Sequence, residues 1–385
     1  RAEGPAYERA DLPAFFDNLL PEGWSEAKLT AVHKIDREDT FGLLRTTPKY
    51  LSNLTLRPTG AASREIVLDY LQTEIGAVSK DPADVISIVE RIGEDPESRP
   101  FWEELRRRGA TRLSGVQPKL PVHLEERDGR LEMDLGGLET TTTHILKLRS
   151  HVYAGLVENE WATMELARRV GLDVATVRRV EFQDGSKLKG RGLLVERFDI
   201  PRSLEGAQRL PLLEDGASLL SLSRTDKYRT SLEKVTEALL DQGLDADGMG
   251  RFLDHVSFSW LVGNGDLHAK NLSVLHEIQP GQFGSPPVRA GVRYSPLYDL
   301  VNTRILVPGD LFALPLNGKE NNLRLGDFQK LALRWGSSRT ASKERVTGLA
   351  HRMLAHVDDV LGAASLSDEM TESYLRVVVE NVEGL

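Results

Sequence analysis

The apolar residues of this chain change their period at Asp199. From about residue 110 to 200 they alternate or run together between glycine and aspartate turns, in KLPVHLEE, LEMDLGG, THILKL and LLVERFD. That is the pattern of strands half or wholly buried in a sheet. One helix interrupts them, from about Val157 to Val170, stopped by Gly171. Beyond Asp199 the spacing turns largely helical, with periodic segments near 231–241, 246–262, 327–335, 341–361 and 369–382. Ahead of both lie a short helix signal, LPAFFDNLL, a strand-like LSNLTLRP ending at Pro58 and Gly60, and a helix from about Arg64 to Ser79. SKDPAD and EDPESRP break the chain before residue 100. The order predicts an α+β protein in three parts: a small N-terminal subdomain with linker helices over 1–100, a strand-rich lobe over 101–198, and a helical lobe over 199–385.

Composition narrows the chemistry. Cysteine is absent, which excludes disulfides, thiolate catalysis and cysteine-held zinc, and suits a reducing cytoplasm. A net charge of −9 argues against a general nucleic-acid binder, because phosphate backbones call for a basic surface. No apolar run reaches the roughly 20 residues needed to cross a bilayer, so no membrane contact is expected. Arg1 is not an initiator methionine, and the expectation is a processed or trimmed chain.

The strongest chemical signal follows the segment near 246–262. GNGDLHAKN, Gly263 to Asn271, places an aspartate five residues before an asparagine, as in phosphoryl-transfer catalytic loops. One carboxylate must accept the proton of the attacking hydroxyl, while an amide oxygen a short loop away holds magnesium. Asp266 fits the first role and Asn271 the second. Gly263 and Gly265 allow the tight backbone between them. Downstream, YSPLYDL places Asp299 after an apolar, strand-like run. Magnesium prefers carboxylate oxygens combined with substrate phosphates, and a second aspartate in this order serves that purpose in bilobal kinases.

Lys147 lies in the middle of THILKL, where an unpaired ammonium would be costly to bury. Glu160 shares the core-facing stripe of the next helix with Met164, Ala167 and Gly171, and is a better partner for it than Glu158. A Lys–Glu pair of this kind orients ATP phosphates. Glu196 and Phe198 stand where the strands give way to helices, the place for a hinge against adenine. SGVQPKL, Ser114 to Leu120, is a weak phosphate cradle on spacing alone, with Gly115, Gln117 and Lys119 as candidate donors.

Together these segments resemble the HipA family of toxin–antitoxin kinases. SGVQPK is similar to its phosphate loop, THILKL to its nucleotide-lysine strand, VENEWATMELARRVGL to the following helix and LLVERFD to the hinge. GNGDLHAKN resembles its catalytic loop and YSPLYDL its metal motif. FFDNLLPEGW, Phe15 to Trp24, resembles a hallmark of its N-terminal subdomain, and LSNLTLRP the strand that closes it. The resemblance implies a bilobal protein-kinase-like fold and an ATP- and Mg2+-dependent serine/threonine kinase. It implies nucleotide contacts at Ser114, Gly115, Val116, Gln117, Pro118, Lys119, Lys147, Glu196, Arg197, Phe198, His268, Lys270 and Tyr298. The implied partners are a protein substrate, characteristically an aminoacyl-tRNA synthetase, and a helix-turn-helix antitoxin through which DNA is reached indirectly.

Two departures stand out. The family's inhibitory phosphoserine falls on Arg112, leaving Ser114 as the nearby candidate for autophosphorylation. Only 14 residues precede the FFDNLLPEGW motif, where the family usually has several strands. Either those strands have been removed or a separate small companion protein supplies them, and the N-terminal region is expected to act as an interaction surface, the alternative being that its apolar side chains simply dock on the kinase lobes. The alternatives are a small-molecule kinase of the aminoglycoside or choline type, whose catalytic loop reads much the same, and a catalytically silent corepressor scaffold.

Overall fold

In the computed structural model the described residues are 12–20, 22, 26, 30, 35–36, 38–46, 117, 119–127, 130–134, 142–150, 152–181, 191–200, 210–279 and 288–385. The expected helix over 64–79, the LSNLTLRP strand, Trp24, Arg112 and Ser114 to Val116 with Pro118 lie outside them.

Five antiparallel strands build the first sheet: β1 Lys119–Arg127, β2 Arg130–Asp134, β3 His144–Lys147, β4 Val177–Glu181 and β5 Arg191–Glu196, in the order β2-β1-β3-β5-β4. The register sets Lys119 opposite Lys147, and His144 opposite Glu196. Preceding the sheet are two short helices, α1 Ala14–Asp17 and α2 Thr40–Thr46. Helix α3, Leu156–Arg169, interrupts the strands where the periodicity places it, and Gly171 follows with φ of 86°. That left-handed turn costs glycine nothing and closes the helix. β4, VRRVE, carries three polar residues of five and gave no clear strand pattern.

The remainder is helical with one exception. After a short α4, Gly216–Leu219, helices α5 Leu232–Asp241, α6 Ala246–Val262, α7 Leu325–Ala332, α8 Arg339–Ala364 and α9 Asp368–Glu383 account for the five periodic segments. Serine or aspartate caps start most of them. Asp245 accepts from the Gly248 amide at 2.8 Å and Ser338 from Ala341 at 3.0 Å, contacts worth about 1 kcal/mol each. The exception is a three-stranded antiparallel sheet, β6 Leu210–Asp215, β7 Ser273–Gln279 and β8 Val288–Tyr294, inside the region expected to be largely helical. It adds three strands to a lobe that is otherwise helical, as expected. β7 runs on from the GNGDLHAKN loop and pairs with β6 from Asp215↔Ser273 to Leu210↔Ile278, so the loop is anchored in a sheet on one side and in α6 on the other.

One continuous apolar core runs through α3, β5, α5, α6, α8 and α9, including Met164, Leu193, Phe252, Phe258, Met353 and Tyr374. α3 packs against α8 as well as against its own sheet. No helix among the described residues is long and apolar enough to cross a membrane.

Candidate functional site

α6 ends at Gly263, whose φ of 78° turns the chain sharply into the loop. At Gly265 a side chain has no room: a Cβ there would lie 2.6 Å from the Leu311 carbonyl oxygen. The Gly265 amide donates to the Thr303 hydroxyl at 2.8 Å, and Thr303 donates in turn to the Asp310 carboxylate. These contacts fix the backbone on which Asp266 is mounted. The Asn271 amide nitrogen donates to the Asp266 carbonyl at 2.9 Å, which turns the Asn271 side-chain oxygen away from that bond.

Asp266 is buried, 7% exposed, and its Oδ1 accepts from the Tyr228 hydroxyl. Burial pushes its carboxyl up to about 7. Tyr228 and the Lys227 charge work against that rise, while Asp299 and Asp310 add to it. His268 packs edge-on to the Tyr228 ring at 5.1 Å, and burial, reinforced by Lys227, holds its imidazole neutral.

Lys147 is buried at the end of β3 and donates to two carboxylates, Glu160 on α3 and Asp299. The partner is thus Glu160 and not Glu158. Burial would lower the Lys147 pKa, but Asp299 and Glu160 outweigh it and keep the ammonium charged. Burial would likewise raise Asp299, yet Lys147 and then Lys119 hold it well below the ordinary carboxylate range. Asp299 lies outside any strand, in the left-handed backbone region with φ of 58°. The apolar run before it forms only an isolated bridge, Leu297 to Val174. Just beyond, Asn159 of α3 and Asn302 exchange two hydrogen bonds, Nδ2 to the Asn302 carbonyl at 2.8 Å and the Asn302 amide to Oδ1 at 3.0 Å.

Other residues named from the sequence make contacts of their own nearby. The Glu196 amide donates to the Thr176 carbonyl and the Arg197 amide to Thr143, so both are spent within the sheet. The Arg197 guanidinium is buried and engaged by Asp199 and Thr142, a brace beneath the hinge. Phe198 packs against Tyr298 at 5.5 Å, and Tyr298 donates to the Lys270 carbonyl at 2.8 Å. Gln117 donates to the Leu148 carbonyl at 3.0 Å.

Lys270 points at the N-terminal segment. Its ammonium donates to the Asn18 carbonyl at 2.8 Å and to Glu22 at 2.6 Å. Glu22 also pairs with Lys227, Asp17 with Arg224, and Asn18 donates to the Leu222 carbonyl at 2.9 Å. Leu20, Asp17 and Asn18 are buried, while Phe15, Phe16 and Leu19 are half-buried. The described part of this segment therefore docks on the helical lobe beside the Gly263–Asn271 loop. Tyr228, Lys227, Asn159 and the role of Glu22 escaped the sequence, because their significance is a matter of proximity between distant segments.

Among the described residues, no cluster of three or more His, Asp or Glu side chains is gathered to hold a metal by itself. Asp299 and Asn271 instead offer one ionised carboxylate and one amide oxygen. Such a sparse hard-oxygen set suits magnesium when substrate phosphates complete the coordination.

The comparisons agree with this architecture. The HipA-like C-terminal domain family matches residues 111–361, and the HipA N-terminal domain family matches residues 2–50. Y4mE of Sinorhizobium fredii, named as a candidate kinase, is 30% identical over 310 residues, 77% of this chain and 66% of its own. The serine/threonine-protein kinase toxin HipA of Shewanella oneidensis is 29% identical over 310 residues, 75% of this chain and 62% of its own. The chain thus spans just under two-thirds of the length of these relatives. The structure of Shewanella oneidensis HipA with HipB and operator DNA superposes with a TM-score of 0.70 at 24% identity, covering 96% of this chain and 84% of that one. With both family domains in order, on the fold of a solved HipA, the chain belongs to the HipA family and has its α+β, kinase-like fold.

Proposed function

We propose that this chain is an ATP-dependent serine/threonine protein kinase, the toxin of a toxin–antitoxin pair. The observation that carries the reading is the Lys147 ammonium, joined at once to Glu160 and Asp299, with the Asp299 charge acting in turn on Asp266 and His268 of the loop. In this reading Lys147 binds the nucleotide phosphates, and Glu160 keeps its ammonium in place. Asp266 accepts the proton of the acceptor hydroxyl, held in position by Tyr228. Asn271 and Asp299 would hold magnesium, which when bound neutralises developing charge on the phosphates. Lys119 lies opposite Lys147 in the sheet and adds a second positive charge toward Asp299.

The acceptor we propose is a protein, with an aminoacyl-tRNA synthetase as the implied substrate and arrest of translation as the outcome. The partner we propose is a helix-turn-helix antitoxin, with Ser114 as a candidate autophosphorylation site. The family resemblance supports these. The discriminating experiment offers magnesium-ATP with cell proteins and with an aminoglycoside side by side, comparing the chain with Asp266→Asn. Phosphate on a serine or threonine that appears only with the intact chain supports the reading. Transfer to the aminoglycoside alone, or none to either, rejects it.

A further inference from the structure

FFDNLLPEGW is the motif that the kinase reading leaves without chemical work. Its glutamate, Glu22, is the one acidic group that meets both ammoniums flanking the catalytic loop among the described residues. Lys270 immediately precedes Asn271 and donates to Glu22 at 2.6 Å and to the neighbouring Asn18 carbonyl at 2.8 Å. Lys227 immediately precedes Tyr228, whose hydroxyl holds Asp266, and also pairs with Glu22. The two lysine segments are themselves joined, because the Ala269 amide donates to the Lys227 carbonyl at 3.0 Å. Glu22 thus reaches toward Asp266 through Lys227 and Tyr228 on one side and toward Asn271 through Lys270 on the other. Ion pairs this enclosed are geometrically demanding. Removing one partner leaves buried charge that must find a new place.

We propose that Glu22 is a positioning residue for phosphoryl transfer, fixing Lys227 and Lys270 so that the loop carrying Asp266 and Asn271 is held in its reactive geometry. The N-terminal subdomain is then part of the catalytic apparatus, beyond any role in docking other chains. This rests on reading the cleft as a phosphotransfer site.

The test uses the full chain and magnesium-ATP. Loss of transfer in Asp266→Asn establishes the underlying reading first, so that a failure at Glu22 counts against Glu22 alone. Glu22→Gln should lower kcat about tenfold or more, the scale of a small misplacement of reacting groups. Its KM for magnesium-ATP should stay within about twofold, and Glu22→Asp should recover part of the loss. In the nucleotide-free chain, Glu22→Gln should also speed backbone hydrogen exchange across residues 263–272. A kcat within about twofold of the unmodified chain overturns the proposal. So does a kcat loss without faster exchange in that stretch, since positioning is then not the route. If both variants lose cooperative thermal unfolding, the residue is structural and the proposal falls.

Discussion

The Tyr228 hydroxyl donates to Oδ1 of Asp266 at 2.5 Å, joining a turn beside the N-terminal segment to the loop after α6. The bond favours the ionised carboxylate, which burial opposes. Tyr228→Phe should therefore raise the Asp266 pKa further. Transfer should fall several-fold at neutral pH and recover toward the unmodified rate in alkali. The pH profile of kcat/KM checks this, and a uniform loss at all pH values would point to packing instead.

Asp266→Asn should cut phosphoryl transfer at least about 100-fold, the usual share of a general base. The same substitution has a signature without nucleotide or divalent ion. An aspartate raised to about 7 from 3.8 contributes stability below 3.8 that is lost as pH rises through about 7. Relative to the unmodified chain, the asparagine variant should gain stability across that window, by a few kcal/mol at its upper end. Thermal unfolding at pH 5 and pH 8 measures the difference.

Lys147→Met would leave the buried Glu160 and the half-buried Asp299 without their shared cation. Breaking such an arrangement typically costs about 3–5 kcal/mol, readable by urea denaturation at neutral pH. The depressed Asp299 pKa adds a sign. Its contribution is present above 3.8 and lost as pH falls toward its folded value, so the acid-side loss of stability should be smaller in the variant.

Asp299→Ala and Asn271→Ala should each raise the magnesium concentration needed for nucleotide binding, by at least about tenfold. Calorimetric titration of ATP at several magnesium levels tests this. Unchanged metal dependence in both variants would place the metal elsewhere.

Helices α3 and α5 to α9 were legible because each has a 3.6-residue stripe, and α6 also ends at a glycine that only a left-handed cap requires. The family fold was legible from short motifs in a fixed order. The three-stranded sheet was not, since Leu210–Asp215 and Ser273–Gln279 pair across a long intervening stretch that includes all of α5 and α6. Nothing local encodes such a register, and β8 is largely exposed, which blurs its alternation. Within the candidate site, Lys147, Glu160, Asp266, Asn271 and Asp299 were readable as residue types that chemistry demands at set spacings. Tyr228 had no such signature. Glu22 was visible only as part of a fold hallmark, because a carboxylate between two lysines looks like any surface charge until the chain is folded.

The paired amides of Asn159 and Asn302 bear on how the cleft opens. They bolt α3 to the stretch just past Asp299, and α3 already leans on α8. Although α3 is threaded between strands of the first sheet, it travels mechanically with the helical half of the molecule. Swinging it outward to disengage Glu160 would break two sheltered hydrogen bonds at once. α3 is therefore expected to ride with the stretch past Asp299 as part of the floor and not as a lever.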